Sequence, residues 1–401
     1  MQADNSRITT LASNRAIHRA FAWLHLHEPQ IRRWQLEAIA IPAPPFAEQP
    51  RAQYFLQQFT TLGLTNPHID AEGNALAELT TNNQQLTTSP VILLSAHLDT
   101  VFPAGTDCTP TEDGPKILAP GACDNAAGLA ALLALAAALR HAEITPACTI
   151  LFAANVGEEG EGDLRGMKHL FNPEKSPYAT RIKAAIALEG SSNEMVVDRA
   201  LGSRRLRVTV TGPGGHSWAD AGRPNPILAL SAGLLAIARI SLPRNPRTTL
   251  NVGTISGGTS VNSIPPSATA DLDLRSTSAT QLDRVELAIL KTLDSTITTE
   301  GLHLHIERIG NRQPGILPES SQLHRSLRAV DRHLRLATAS RIGSTDANLP
   351  LSLGIPALAI GSGGTGWGMH TLEEGYDPTG RDLALRRTLL LLLDTCTLTT
   401  T

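Results

Sequence analysis

The chain has 401 residues, a formal net charge of -3, 41% hydrophobic residues and 18% charged residues. That length exceeds the usual size of one hydrophobic core, so the sequence predicts two domains, and the apolar fraction excludes an intrinsically disordered chain. The weak net charge argues against a nucleic-acid-binding protein, because such proteins need a clustered basic face. Arg204, Arg205 and Arg207 come closest to such a cluster, and their spacing predicts the solvent face of one strand.

The longest apolar stretch, residues 126–139, is too short and too rich in alanine to span a bilayer. Residues 1–20 lack the apolar core and the cleavage site of a signal peptide. The cysteines show no CxxC spacing and imply no disulfide framework; they are Cys108, Cys123, Cys148 and Cys396. The sequence therefore predicts a cytoplasmic protein with reduced thiols and no membrane role, in which Cys123 is a small buried packing residue.

The first 200 residues alternate between predicted helices and predicted strands. Apolar periodicity and breaking residues predict helices over residues 13–39, 51–62 and 126–140. Continuous runs of branched apolar residues predict buried strands over residues 91–96, 149–155 and 184–188. Each strand delivers a polar residue at its carboxyl end, a pattern typical of an α/β domain whose site lies along one edge of the sheet.

The pattern changes after residue 200. Alternation of polar and apolar residues predicts strands over residues 205–211, 268–275 and 303–308, with a further short strand over residues 250–255. Helices are predicted over residues 226–240 and 279–293. This order indicates a β-α-β-β-α-β-like unit, with an antiparallel sheet and helices on one face.

From residue 320 the first pattern resumes. A helix is predicted over residues 322–336, a strand over 357–361 and a last helix over 382–396. The sequence therefore predicts that the second domain, residues 201–314, is inserted into the first.

Two adjacent carboxylates, Glu158 and Glu159, follow the strand predicted over residues 149–155. Neighbouring negative charges repel each other, so the pair favours a nearby cation or a shared proton. His97 ends another strand and is a candidate metal ligand, and we interpret Asp99 as the carboxylate that orients its imidazole. A bound metal ion with one glutamate left over as a base is typical of a hydrolase.

Three further residues fit the same site. Asp124 stands at the start of the helix predicted over residues 126–140, where it would also serve as a helix cap. Glu189 closes a buried strand, where an unpaired carboxylate would be costly. His370 follows a glycine-rich loop, which allows the backbone to approach a ligand closely. The sequence therefore predicts a cage of nitrogen and oxygen atoms for a divalent metal.

The chain carries, in order, His-x-Asp, Asp, Glu-Glu, Glu, Gly-Gly-His-Ser and His motifs, at His97, Asp124, Glu158, Glu189, His216 and His370. This order resembles the dinuclear zinc peptidases and amidohydrolases typified by tripeptidase T, glutamate carboxypeptidase, acetylornithine deacetylase and succinyl-diaminopimelate desuccinylase. The resemblance runs from Pro90 to Tyr376. It implies a zinc-exopeptidase-like catalytic domain with helices around a mixed sheet, over residues 1–200 and 315–401. Residues 201–314 would form an α+β ferredoxin-like lid and dimerisation domain.

The resemblance also implies a role for each motif residue. Two divalent metal ions would be bound by His97, Glu189, Glu159 and His370, with Asp124 bridging both ions. Glu158 would be the general base, taking a proton from the metal-bridging water and passing it to the leaving nitrogen. Zinc is the expected metal, with cobalt or manganese as alternatives. The peptide bond between Asp124 and Asn125 would be cis.

In the inserted domain, His216 matches a loop histidine that completes the oxyanion site, often across a dimer interface. The resemblance therefore implies a homodimer formed through this domain. Asn262 and Arg275 resemble substrate-binding positions, and the planar guanidinium of arginine suits a substrate carboxylate. An ion pair with Asp273 at the end of a strand is the alternative for Arg275, and Arg204 is a weaker candidate still.

The implied reaction is hydrolysis of an amide bond in a short peptide, by an exopeptidase. An N-acyl amino acid deacylase is the alternative, and both kinds of substrate would carry a free carboxylate. Glu189 favours the carboxypeptidase and deacylase members, whereas residues 125–127 lack the lysine that many relatives have and leave the subgroup open. A non-catalytic metal-binding scaffold is a distant hypothesis, which the retention of Glu158 and of all five ligands disfavours.

Overall fold

The computed structural model describes residues 2–80 and 89–400. The chain divides into a larger unit, Met1–Ala200 with Ile316–Thr401, and a smaller unit, Leu201–Gly315. The helices of the described residues are α1 (Gln2–Ala12), α2 (Arg15–Leu26), α3 (Glu28–Ile39), α4 (Gln49–Thr61), α5 (Ala126–His141), α6 (Arg165–Leu170), α7 (Pro226–Ile237), α8 (Ala279–Thr296), α9 (Gln322–Leu334), α10 (Asn348–Ser352) and α11 (Arg381–Thr400), with a 3-10 turn at Gly160–Gly162.

The strands of the same residues are β1 (Thr65–Ile69), β2 (Ala75–Leu79), β3 (Val91–His97), β4 (Thr111–Asp113), β5 (Lys116–Leu118), β6 (Thr149–Asn155), β7 (Ile182–Leu188), β8 (Met195–Ala200), β9 (Gly202–Thr211), β10 (Gly215–His216), β11 (Thr248–Gly257), β12 (Ser263–Ile264), β13 (Ser267–Ser276), β14 (His303–Arg312), β15 (Gly315–Ile316), β16 (Ala339–Gly343), β17 (Ala357–Ile360), β18 (Thr365–Trp367) and β19 (Gly375–Asp377). A small antiparallel sheet in the larger unit has the order β18-β19-β5-β4.

The central sheet of the larger unit has the strand order β1-β2-β6-β3-β7-β17-β8, and β16 pairs with β8. β3 runs parallel to β6 and β7, whereas β2 is antiparallel to β6 and β8 is antiparallel to β17. Every side chain of β3 and β6 is buried, which is expected for strands that are covered on both faces. The predicted α/β class with a mixed sheet is therefore confirmed, and the carboxyl ends of β3, β6 and β7 meet at one edge.

The smaller unit has its own hydrophobic core around an antiparallel sheet of order β11-β13-β9-β14. Helices α7 and α8 pack against this sheet, and their buried apolar residues cluster with Leu206, Val208 and Val210 of β9. Because these three side chains alternate along the strand, they share one face, and both helices lie on that face. The predicted α+β architecture of the inserted segment is confirmed.

The prediction that Arg204 lies on a solvent face is wrong. Strand β9 begins at Gly202, and its period of two places Arg204 on the inner face beside Leu206. The buried guanidinium of Arg204 pairs with Glu286 and with Asp283, both on α8, the latter at 2.5 Å. The residue is therefore a structural ion-pair partner, and the structure gives no support to its weaker candidacy as a substrate ligand.

The helix predicted over residues 13–39 is two helices, α2 and α3, which meet at His27. Pro29 lies in the first turn of α3, where its missing N–H costs nothing, whereas a continuous helix would lose a hydrogen bond there. Helix α1 was not predicted, because its sequence is mostly polar. Its Arg7 donates to both carboxylate oxygens of Asp394 at 2.6 and 3.0 Å, so the helix depends on tertiary contacts.

The last helix, α11, continues to Thr400, beyond its predicted end at Cys396. The hydroxyls of Thr395 and Thr397 donate to carbonyls one turn earlier, at 2.6 and 3.1 Å, and these bonds keep the polar β-branched residues helical. In the part of the chain that the structure describes, no helix combines the length and the apolar character needed to cross a bilayer.

Arg387 on α11 is fully buried and joins three segments of the larger unit. Its Nε and Nη2 atoms donate to the two oxygens of Asp331 on α9 at 2.6 and 2.7 Å, and Nη1 donates to the carbonyl of Asn193 at 3.0 Å. We expect Arg387→Ala to lower the free energy of unfolding by about 3–5 kcal/mol, because Asp331 would remain as a buried charge without its partner. Urea denaturation of the full chain measures this loss.

The adjacent residue provides a matched control. Arg386 is partly exposed and pairs with Asp382 at 2.9 Å within the same helix. Arg386→Ala should lower the free energy of unfolding by less than about 1 kcal/mol, because water screens such pairs. Equal losses for the two variants would contradict the structural role given to Arg387.

Candidate metal centre

The candidate metal centre lies at the edge where the parallel strands of the larger unit end. His97 is the last residue of β3, Glu189 directly follows β7, and the Glu158–Glu159 pair follows β6. In the ladder between β3 and β6, His97 is the register partner of Asn155, so these two strands end at the same level. The strand register therefore positions these acidic and imidazole groups next to one another.

Asp124 lies between two histidines. One of its carboxylate oxygens is 3.1 Å from Nε2 of His97, and the other is 3.0 Å from Nε2 of His370. Each imidazole has a second carboxylate beside it: Glu189 Oε1 is 3.6 Å from His97 Nε2, and Glu159 Oε1 is 3.1 Å from His370 Nε2. The structure thus brings all five predicted ligands together, as two triads that share Asp124.

The charges of these groups fit a cation site. Burial opposes a charge on His97, but hydrogen bonds with Asp124 and Glu189 outweigh it and raise the pKa of His97 well above its usual value. Hydrogen bonds with Asp124 and Glu159 raise the pKa of His370 to about 10. Burial raises the pKa of Asp124, but its hydrogen bonds with the two histidines outweigh burial and lower it. The carboxylates therefore attract positive charge to both imidazoles.

One carboxylate oxygen of the five candidate ligands can still accept a bond. Oε2 of Glu189 is buried and has no hydrogen-bond partner among the residues that the structure describes, which is costly unless a cation binds there. Two imidazoles and three carboxylates are ligands that suit zinc, and donor atoms of His97, Asp124 and Glu159 all lie within 4.8 Å of one another. The residues present therefore fit divalent cations.

Asp99 does not act as predicted. Its carboxylate lies 3.8 Å from Nδ1 of His97, and its main-chain carbonyl instead lies 2.9 Å from that nitrogen. The carboxylate accepts the backbone N–H groups of Glu158 and Glu159 at 2.9 and 2.6 Å. Because the carbonyl can only accept, Nδ1 of His97 carries a proton, and Nε2 is the ring nitrogen that faces Asp124 and that would bind a cation after losing its own proton. Asp99 thus orients His97 through its carbonyl and holds the glutamate pair through its side chain.

Gly157 allows the chain to turn just before the glutamate pair. Its φ is +68°, and a Cβ at this position would lie 2.5 Å from Cγ of Arg165. No other residue would fit this turn without displacing Arg165. Glu158 and Glu159, which follow, are 5% and 9% exposed, so both residues lie in a region from which water is largely excluded.

Asn125 connects the Asp124 segment to the end of β7. Its side-chain nitrogen donates to the carbonyl of Leu188 at 2.9 Å, and its side-chain oxygen accepts the N–H of Gly190 at 3.2 Å. These bonds flank Glu189 on both sides. The peptide bond between Asp124 and Asn125 is cis, as the resemblance implies.

Glu374 is a buried residue of this region that the sequence did not single out. Its carboxylate accepts the backbone N–H groups of Gly121, Cys123 and Asp124 at 2.9, 2.8 and 2.8 Å. Burial raises its pKa, although the three N–H groups oppose the shift. Glu374 therefore fixes the backbone that carries the carboxylate of Asp124. In the sequence, only its position four residues after His370 indicated that it belongs to this region.

We expect Glu374→Ala to lower kcat/KM by about 10- to 100-fold and to weaken metal binding, because partners outside the ligand set typically contribute that much. The variant leaves three buried N–H groups near Asp124 without their acceptor. Steady-state kinetics and metal titration measure the two effects. Glu373→Ala is the matched control, since Glu373 is exposed; a comparable loss in that variant would contradict the role of Glu374.

The remaining predicted residues lie in the smaller unit. His216 is exposed in β10, and Asn262 is exposed beside the paired strand β12, where its carbonyl accepts the N–H of Ser217 at 2.9 Å. These two candidates therefore lie close together at the two-stranded sheet β10-β12. Arg275 lies on β13, where its Nε donates to Asp273 at 2.6 Å, so the ion pair that the sequence left open as an alternative is present.

Comparison with known proteins gives concordant matches. A probable carboxypeptidase from Aspergillus clavatus is 32% identical over 205 residues, which are 46% of this chain and 44% of that protein. The chain spans about half the length of the first curated relatives it matches.

Two solved structures share the fold. A tripeptidase from Staphylococcus aureus has a TM-score of 0.72 and 21% identity, covering 92% of this chain and 98% of that chain. The di-peptidase Dug1p from Saccharomyces cerevisiae has a TM-score of 0.77 and 13% identity, covering 95% and 98%. At such identities these structures show the fold alone. The model of Peptidase family M20/M25/M40 matches residues 93–392, which include all five candidate ligands, and the chain therefore belongs to this peptidase family.

Proposed function

We propose that the protein is a metal-dependent hydrolase that cleaves the amide bond of a short peptide as an exopeptidase. The observation that carries the proposal is the shared carboxylate of Asp124, which lies 3.1 Å and 3.0 Å from the two histidines, each with a further carboxylate beside it. Membership of a peptidase family supports the reaction class. The names of the curated relatives, probable carboxypeptidases, favour cleavage next to a free carboxylate.

In this proposal the ligand set holds two divalent ions, and zinc suits its nitrogen and oxygen donors best. His97, Asp124 and Glu189 would hold the first ion, and His370, Asp124 and Glu159 would hold the second. When bound, such ions acidify a water molecule and stabilise the negative charge that develops on the amide oxygen. Cobalt and manganese are the alternatives to be compared with zinc.

Glu158 is the general base of the proposed reaction. It takes a proton from the attacking water and passes it to the leaving nitrogen, a role that requires a carboxylate close to the cations. The hydrogen bond from its backbone N–H to Asp99 fixes the start of this side chain, and its low exposure keeps bulk water from competing for the proton. Asp99 thus acts on the reaction through the backbone of Glu158 and Glu159.

The smaller unit supplies the proposed substrate contacts. His216 donates a hydrogen bond to the amide oxygen, and Asn262 lies beside the strand that pairs with β10. Arg275 binds the carboxylate of the substrate through its terminal nitrogens, because its Nε already donates to Asp273.

A substrate panel tests the proposal. Tripeptides, the same tripeptides with a blocked carboxyl terminus, and N-acyl amino acids are incubated with the chain loaded with zinc, cobalt or manganese. Cleavage of the free tripeptides alone supports an exopeptidase that recognises the terminal carboxylate of its substrate. Preference for N-acyl amino acids would identify the protein as a deacylase instead. Metal binding without cleavage of any amide would support the hypothesis of a non-catalytic metal-binding scaffold.

We also propose that the protein forms a homodimer through the smaller unit. Strand β11 is an edge strand, with Val252 and Ile255 41% and 58% exposed, and helix α7 exposes Leu228 and Leu235. Apolar side chains on an unpaired edge favour association with a second copy. Sedimentation should give twice the chain mass of 42.6 kDa, and Val252→Lys with Ile255→Lys should give the monomer. A wild-type chain that sediments as an active monomer would contradict this prediction.

Four buried free cysteines support a reducing compartment. Burial raises the pKa of the Cys123 thiol to about 12, so this residue beside Asp124 stays protonated and packs as an apolar side chain. A cytoplasmic location is therefore part of the proposal, and fractionation of the source cells tests it.

A further inference from the structure

The turn that follows His216 brings its backbone N–H groups to the imidazole. Strand β10 pairs with β12, which places His216 opposite Ser263. Beyond this pair the chain turns, and the backbone N–H groups of Trp218 and Ala219 point at Nδ1 of His216 at 3.2 and 3.3 Å. The ring is therefore held by its own loop, within the smaller unit.

These contacts determine which ring nitrogen carries the proton. A peptide N–H can only donate, so Nδ1 of His216 must be the nitrogen that accepts. In the neutral imidazole the proton then lies on Nε2. Since His216 is exposed, the turn presents an Nε2–H donor to an incoming molecule. A positioned N–H donor is what an amide oxygen requires as negative charge develops on it.

Asp220 closes the turn. Its Oδ2 accepts the backbone N–H of His216 at 2.8 Å, and its own N–H donates to the carbonyl of His216 at 2.9 Å. Its Oδ1 pairs with Nη2 of Arg223 at 2.8 Å, and Nη1 of Arg223 donates to the carbonyl of Gly214 at 3.0 Å. The two side chains thus hold the segment before the imidazole as well as the turn after it.

Gly215 makes this close approach possible. Its φ is +150°, and a Cβ on this residue would lie 2.7 Å from Oδ2 of Asp220. Any larger residue would push the carboxylate away from the N–H of His216. The contact between Asp220 and the backbone of His216 therefore requires a glycine at position 215.

We propose that Asp220 and Arg223 are positioning residues that keep His216 in the Nε2–H form and aim it at the amide oxygen of the substrate. The inference rests on the proposed function, in which His216 is the oxyanion donor. It adds two residues to the site, and neither touches the substrate.

Steady-state kinetics of the zinc-loaded full chain test the effect of these residues on turnover, with the best tripeptide of the panel as substrate. His216→Ala should lower kcat by about 10²–10³-fold, the usual loss for one oxyanion donor. Asp220→Ala should lower kcat by about 10- to 100-fold with KM changed less than about twofold. Asp220→Asn keeps one acceptor oxygen and should recover most of the rate. Asp294→Ala, an exposed residue of α8, is the control.

NMR tests the tautomer without relying on turnover. Long-range ¹H–¹⁵N spectra of the chain labelled with ¹⁵N-histidine distinguish the two neutral forms, and the His216 signals are those lost in His216→Gln. We expect the Nε2–H form in the wild type and a mixture of both forms in Asp220→Ala. A wild type with the proton on Nδ1, or an Asp220→Ala variant with unchanged tautomer and unchanged kcat, would overturn the inference.

The kinetic and NMR experiments together distinguish failure of this inference from failure of the proposed function. If the wild type cleaves no member of the panel, the proposed function fails, and the NMR comparison alone decides the role of Asp220. Loss of the Nε2–H form in Asp220→Ala then still supports the positioning role, and its persistence contradicts it.

Discussion

Glu158→Gln should lower kcat by about 10²–10⁴-fold, the range that a positioned general base contributes. Glutamine has nearly the same shape as glutamate but cannot take a proton from water at neutral pH. The five candidate ligands and the backbone contact with Asp99 at 2.9 Å are unchanged in this variant. Metal binding should therefore stay at the wild-type level while turnover is lost, which steady-state kinetics and metal analysis of the same sample measure together.

The control for this variant is Glu161→Gln. Glu161 is an exposed residue three positions further along the chain, and its substitution should change kcat less than about twofold. Full activity in Glu158→Gln would remove Glu158 from the mechanism. Loss of metal from that variant would instead make Glu158 a ligand rather than the base.

Asp124→Ala should have the second large effect, because both triads share this one carboxylate. The wild type should bind two zinc ions per chain, and the variant at most one, since each histidine keeps a single carboxylate neighbour. Loss of several kcal/mol of stabilisation of the developing charge corresponds to a fall of about 10³-fold or more in kcat/KM. Isothermal titration with zinc and peptide hydrolysis measure the two effects.

Asp113→Ala is a matched control for charge, since Asp113 is exposed on the short strand β4. It should bind two ions and hydrolyse the peptide at the wild-type rate. An Asp124→Ala variant that still binds two ions with wild-type affinity would rule out the bridging role. Binding of a single ion by the wild type would require a mononuclear scheme.

The elements that position the site were predicted well where the local pattern was strong. Residues 149–155 are a strand in both the prediction and the structure, because a run of branched apolar residues is buried on both sides. The broken helix at His27 was missed because its apolar periodicity continues through the break, and only Pro29 marks it. Arg204 was misassigned because alternation gives the period of a strand but not which face is inside.

Within the candidate site, the sequence identified the side chains better than their contacts. The five candidate ligands were predicted from motif order, and the structure brings them together. Asp99 was given the wrong contact, because a sequence cannot distinguish a bond to its carbonyl from a bond to its carboxylate. Glu374 was overlooked because its partners are backbone N–H groups some 250 positions earlier in the chain, and only its position four residues after His370 marked it.

The insertion of the smaller unit has a consequence for synthesis of the protein. On the ribosome, His97, Asp124, Glu159 and Glu189 emerge before residue 201, whereas His370 and Glu374 emerge only after the whole inserted segment has been translated. A nascent chain can fold the smaller unit first, because that unit has its own hydrophobic core. The triad of Asp124, Glu159 and His370 must therefore wait until the segment after residue 315 has been translated, whereas all three residues of the triad of His97, Asp124 and Glu189 are made before the insertion.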